Sequence, residues 1–145
     1  MIKQFEKLSF KEQELIFKAP ALISVLMSSS LNKINAARKA DAIKLAHLKT
    51  FTANPALIPY YMAVEKDFKG QFETIVKQYA PFDTEQRDAL KKEIESTSVL
   101  IDKLDKDYAH LLHLSLERYA KHVAHGDRTV MEYFIFPYPI PGLTD

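Results

Sequence analysis

The side chains of this sequence best suited to coordination or proton transfer gather late in the chain. Four of its five histidines lie between 110 and 125, interleaved with carboxylates and lysine. His110, His113 and Glu117 fall within about 60° of one another on a helix that turns 100° per residue. Imidazole and carboxylate so placed are ligand types for a zinc ion or another divalent cation. Lys121 shares that face four residues beyond Glu117, where it makes a Glu-to-Lys helix pair and competes with any cation. Leu112, Leu116, Tyr119 and Val123 form the opposite, apolar face. The expectation is a solvated polar side carrying His110, His113 and Glu117 and a core side carrying the apolar residues.

Around the next turn, "HVAHGDRTVME" brings together His122, His125, Asp127 and Glu132. Glu132 stands among Val130, Met131, Tyr133, Phe134, Ile135 and Phe136, and a carboxylate in such surroundings must find a partner or take up a proton. Capping of Thr129, or pairing with Arg128 or His125, satisfies it without any chemistry, and this is the favoured reading. The alternative is a hard cation held by Asp127 and Glu132 beside a histidine, which needs more oxygen ligands than the segment offers. No residue is assigned to catalysis, to a cofactor or to a metal.

Other reactive arrangements find less footing. No glycine precedes a Lys-Ser/Thr pair, and nothing resembles GxGxxG, GxSxG or HExxH. Ser28–Ser30 lack a recognisable base. Glu93 and Glu95 are two residues apart, so on a helix they face different ways. Cysteine is absent, which excludes disulfides, thiolate catalysis and Cys-based zinc sites. A basic stretch of Lys33, Arg38, Lys39, Lys44 and Lys49 is offset only by Asp41, but Lys39 and Lys44 point away from Arg38 and Lys49 on the helical wheel. Nucleic-acid binding needs such charges on one side. Residues 83–107 hold eight acids and five bases, and the opposed signs of the two segments can steer internal docking or self-association.

The elements that must position these residues follow from composition and spacing. The 145 residues suit one domain, with 47% apolar and 27% charged side chains and a net charge of +1. The N-terminus, "MIKQFEKLSFKEQE", has no signal-peptide core, and the clean apolar run Pro20 to Met27 is too short for the roughly 20 residues of a membrane helix. A cytoplasmic chain with neither membrane insertion nor nucleic-acid binding is expected.

Helix signals dominate. "SFKE" at Ser9–Glu12 reads as a capping box. Pro20 suits the first turn of a second helix, "PALISVLMSS", that is apolar on nearly every side. Asn35 caps an alanine-rich helix to about Lys49, "TANPALIP" is a turn or short helix, and helical spacing resumes from Tyr60 to about Tyr79 with Gly70 as a weak point. Leu90, Ile94, Thr97, Ile101, Leu104 and Tyr108 alternate by four and three, the spacing of a packing seam. Residues 82–125 contain neither glycine nor proline, so one long helix is possible, but three aspartates in "DKLDKD", Asp102–Asp107, favour a break. Gly126 ends the next helix and "TVME", Thr129–Glu132, offers another capping box. Prolines 137, 139 and 141 then set an extended tail rich in aromatics. No strand alternation is convincing. The fold expected is all-α: a single domain over 1–145, an irregular bundle of about six or seven helices with an extended Pro/aromatic C-terminal tail.

A helix, a short loop holding isoleucine and a second helix resemble the tellurite-resistance B (TerB-like) family. Its members are all-α, with two related helix–loop–helix units whose loops read Ala-Asp-Gly-x-Ile/Val-x-x-x-Glu and are thought to bind a divalent metal. "SLNKINAAR" keeps only Ile34 of that pattern; Leu31, Asn32 and Arg38 stand at the aspartate, glycine and glutamate. "AHGDRTVME" keeps Ala124, Gly126 and Glu132, with His125 at the aspartate and Arg128 at the apolar position. The resemblance implies the fold and a first loop that has lost its metal site, since leucine and arginine cannot hold a cation. The function expected is a non-enzymatic intracellular scaffold or protein-interaction module, TerB-like, with a homodimer or another protein as partner and no cofactor. Two alternatives stand: a divalent-metal-binding stress-response protein using Asp127, Glu132 and a histidine, and a bundle pocket for a small apolar ligand lined by Tyr60, Tyr61 and tail aromatics.

Overall fold

The computed structural model describes residues 2–30 and 33–123, and these form an all-α bundle. A 3-10 turn at Lys3–Phe5 comes first. It drives Phe5 into a ring cluster, with centroids 5.1 Å from Phe17, 6.3 Å from Tyr60 and 6.0 Å from Tyr108. Helix α1 spans Phe10–Phe17 and opens on the expected capping box: Ser9 Oγ accepts from the Glu12 amide and Glu12 accepts from the Ser9 amide. Helix α2, Ala19–Ser28, follows almost without a break, with Pro20 in its first turn and all ten residues buried. It is the axis of the fold, and α3, α4, α5 and α6 pack around it.

A two-residue antiparallel pairing, Ser29–Ser30 with Lys33–Ile34, then reverses the chain, a small addition to the all-helical expectation. Asn35 caps α3, Ala36–Thr52, through its side-chain oxygen and the Arg38 amide. The helix runs past Lys49 because nothing in the next three residues stops it; Asn54 and the 3-10 turn Pro55–Leu57 do. Helix α4, Ile58–Tyr79, buries Tyr60, Tyr61, Val64, Phe68, Phe72, Ile75 and Tyr79, and it passes through Gly70 unbroken. Helix α5, Thr84–Ile101, is capped by Asp83. The break in the aspartate-rich stretch is real: residues 102–105 turn, and α6 runs Lys106–Val123. All six residues of the predicted seam, Leu90 to Tyr108, are buried.

Tyrosine hydroxyls tie this core together. Tyr60 donates to the Ile16 carbonyl at 2.7 Å, Tyr119 donates to the Ala42 carbonyl at 2.9 Å, and Tyr61 and Ser115 share a bond of 2.6 Å. Ser24 donates to Tyr119 at 3.1 Å as well as to the Pro20 carbonyl. Each ring therefore fills core volume while its polar end finds a partner on a different helix.

Candidate functional site

The histidine face of α6 does not form as expected. His113 is buried at 5% exposure and its Nε2 lies 2.9 Å from Asp102 Oδ1, whereas His110 is exposed on solvent. The turn after α5 folds back over α6 and carries Asp102 to the imidazole, a tertiary contact that a helical wheel does not contain. Glu117 is half-buried and its carboxyl is raised by desolvation, against the pull of Lys121 and His113. Leu112, Leu116, Tyr119 and Val123 are buried as expected. Among the described residues no three His, Asp or Glu side chains group to hold a metal. His125, Asp127, Glu132, the Thr129 capping box and the proline-aromatic tail lie outside the described residues.

The basic stretch disperses, as the wheel indicated. Arg38 donates to the Met27 carbonyl at 3.0 Å, Lys39 meets Glu73 at 3.8 Å and the Phe72 ring at 5.5 Å, and Lys44 is exposed. Lys49 lies 6.0 Å from the Tyr61 ring, its ammonium pKa lowered by burial and by Arg118. Glu93 faces inward to Lys18, at 3.3 Å, and to the Tyr79 hydroxyl, while Glu95 faces solvent. Ser29 bonds back to the Leu26 carbonyl at 2.8 Å. Tyr60 and Tyr61 are fully buried and hydrogen-bonded within the core. Burial pushes the Tyr61 and Tyr108 phenols up to about 12, which keeps them protonated and poor bases near neutrality.

What the fold does assemble is a cleft of about 640 Å³ between α1 and α4. Leu15, Phe17 and Ala63 give it apolar surface, and Lys11, Glu14 and Asp67 give it charge. Phe17 is fixed by stacking on Tyr60, centroids 5.7 Å apart, and Lys18 is held at the side by its bond to Glu93. Gly70 and Gln71 stand side by side in its α4 wall. Gly70 lines it, and a Cβ built at that glycine meets nothing within 4 Å. Beside it, Gln71 lines the cleft with a buried side-chain carbonyl oxygen that has no hydrogen-bond partner among the described residues, as have the hydroxyls of Ser28, Ser98 and Tyr108 in the core. Such an acceptor is costly to leave unmet. Lys11, Glu14 and Asp67 make no ion pair with the described residues. The cleft carries apolar surface and both signs of charge at its walls.

In the sequence only Gly70 signalled this place, and it signalled helix weakness. The cleft itself depends on α1 and α4 becoming neighbours, which no local pattern encodes. Compared with known proteins, the chain matches no family model, no curated protein and no solved structure.

Proposed function

We propose that this chain is a non-enzymatic helical interaction module whose α1–α4 cleft receives a projecting apolar side chain from a protein partner. Gly70 carries the reading. A glycine inside a helix costs about 1 kcal/mol relative to alanine. Here the backbone is ordinary helix and a Cβ would touch nothing, so no contact among the described residues requires glycine. The room it leaves belongs to the cleft. The reading includes kinship with the TerB-like family in degenerate form. Arg38, where that family carries glutamate, places a guanidinium on the Met27 carbonyl, and this charge repels a cation from the loop.

The test is selection of a displayed peptide library on the purified chain, with Gly70→Trp as the counter-target. Peptides with a large apolar residue should be enriched on the wild type and should lose binding to G70W, while G70W keeps the wild-type circular dichroism and thermal midpoint. Enriched peptides that bind both proteins equally, or no enrichment at all, would overturn the proposal.

A further inference from the structure

We infer that the partner is a second copy of this chain, docked about a twofold axis so that Phe10 of each copy enters the α1–α4 cleft of the other; this rests on the cleft being a docking site. Phe10 is 77% exposed, the most exposed of the large apolar side chains among the described residues. It belongs to the cleft side of α1, because residues 10, 14 and 17 share one helical stripe and Glu14 and Phe17 line the cleft. Knob and hole therefore occupy one face of the molecule. An isologous contact requires that arrangement, since a twofold axis brings a surface against itself.

The knob is also held ready. Phe10 begins α1 between the two halves of the Ser9–Glu12 capping box, and Glu12 is tethered to Lys103 across to the α5–α6 turn at 2.8 Å. An anchor ordered before binding loses little entropy on docking. Charge fits the same partner. Lys11 is on the α1 wall and Asp67 on the α4 wall, and a twofold copy sets each α1 wall against the other's α4 wall. Lys11 then meets the partner's Asp67, and the reverse, while Glu14, three residues on in the same α1 wall, lies beside Lys11.

Sedimentation equilibrium of the full chain over a micromolar to millimolar series tests this. The wild type should show a mass that rises towards the dimer. Phe10→Ser and Gly70→Trp should each weaken association by about a thousandfold, since a twofold dimer of either variant loses both of its central aromatic anchors, with thermal midpoints that show both variants folded. The decisive arm mixes the two variants. F10S keeps the hole and G70W keeps the knob, so the mixture regains one of the two contacts and forms a heterodimer that neither variant forms alone. A wild type that stays monomeric throughout, or a dimer indifferent to both substitutions, overturns the inference. A monomeric wild type that still selects peptides through its cleft would sink the second copy and leave the docking site standing.

Discussion

Around α2, packing is closed. Ten successive residues have no exposed face, and the Tyr119 hydroxyl joins Ser24 of α2 to the Ala42 carbonyl of α3. Across the α1–α4 cleft the surface is left open: Leu15 is half-exposed and Gly70 offers bare backbone. The contrast separates two uses of apolar surface. The first fixes a shape, and its side chains are replaceable only at the expense of the fold. The second adds little to folding, so it is free to be shaped by what it binds.

Truncation should expose that contrast most sharply. Leu22→Ala, at a wholly buried site of α2, should cost about 3 kcal/mol through lost transfer energy and a residual cavity. Leu15→Ala, in the cleft wall, should cost under about 1 kcal/mol because water already reaches it. Urea unfolding of the two variants measures the difference; equal losses would erase the distinction between core and cleft. Next in size is Tyr119→Phe, which keeps the ring and removes the hydroxyl that serves α2, α3 and α6. The Ala42 carbonyl then loses its donor inside the core, and the fold should weaken by about 1–2 kcal/mol. The same deletion has no counterpart in the cleft: Gln71→Leu removes an unmet oxygen and should leave stability unchanged or slightly raised.

Gly70 reverses the sign. Gly70→Ala should stabilise the fold by up to about 1 kcal/mol, since alanine is the better helix former and its methyl meets open space. Few positions in a packed bundle accept added volume with a gain. A lower thermal midpoint for G70A would show that the space over Gly70 is already used by the chain itself, and the cleft would lose its main argument.

Much of the fold was legible because its signals are local. The capping box at Ser9–Glu12, the Asn35 cap, Pro20 at the start of α2 and the seam from Leu90 to Tyr108 each depend on residues three or four apart, and each appears where the spacing places it. The break after Ile101 was readable for the same reason, aspartate being poor in helix interiors. What failed was tertiary. His113 turned inward because Asp102 arrives from the turn between two helices, and α3 overran Lys49 because its stop lies in Asn54 and Pro55 beyond it. The cleft joins residues 11–18 to residues 63–74, a pairing set by how the whole bundle closes. Gly70 shows the limit most clearly. The sequence marks an oddity in the helix, and only its neighbours say that the oddity faces space.

The smallest effect concerns the mounting of Phe10 and depends on pH. The Glu12 carboxyl is lowered from 4.5 to about 2, first by its bond to Lys103 and then by the Ser9 amide. A depressed carboxyl stabilises the folded state above its unfolded pKa, and that contribution fades as pH falls through the folded value. Between about pH 4.5 and pH 2 the capping box and its tether to Lys103 should therefore weaken together. Glu12 is solvent-accessible, so the change in the global midpoint will be slight. Its local consequence is larger, because fraying of the first turn of α1 releases Phe10 from its fixed position. The protection factors of the Ser9 and Glu12 amides, the two that the capping box binds, should fall across that interval in the wild type, while Lys103→Gln should already show part of the fall at neutral pH. If exchange at the start of α1 ignores both acid and K103Q, the turn is held by something other than its cap, and the ready-made knob loses its physical basis.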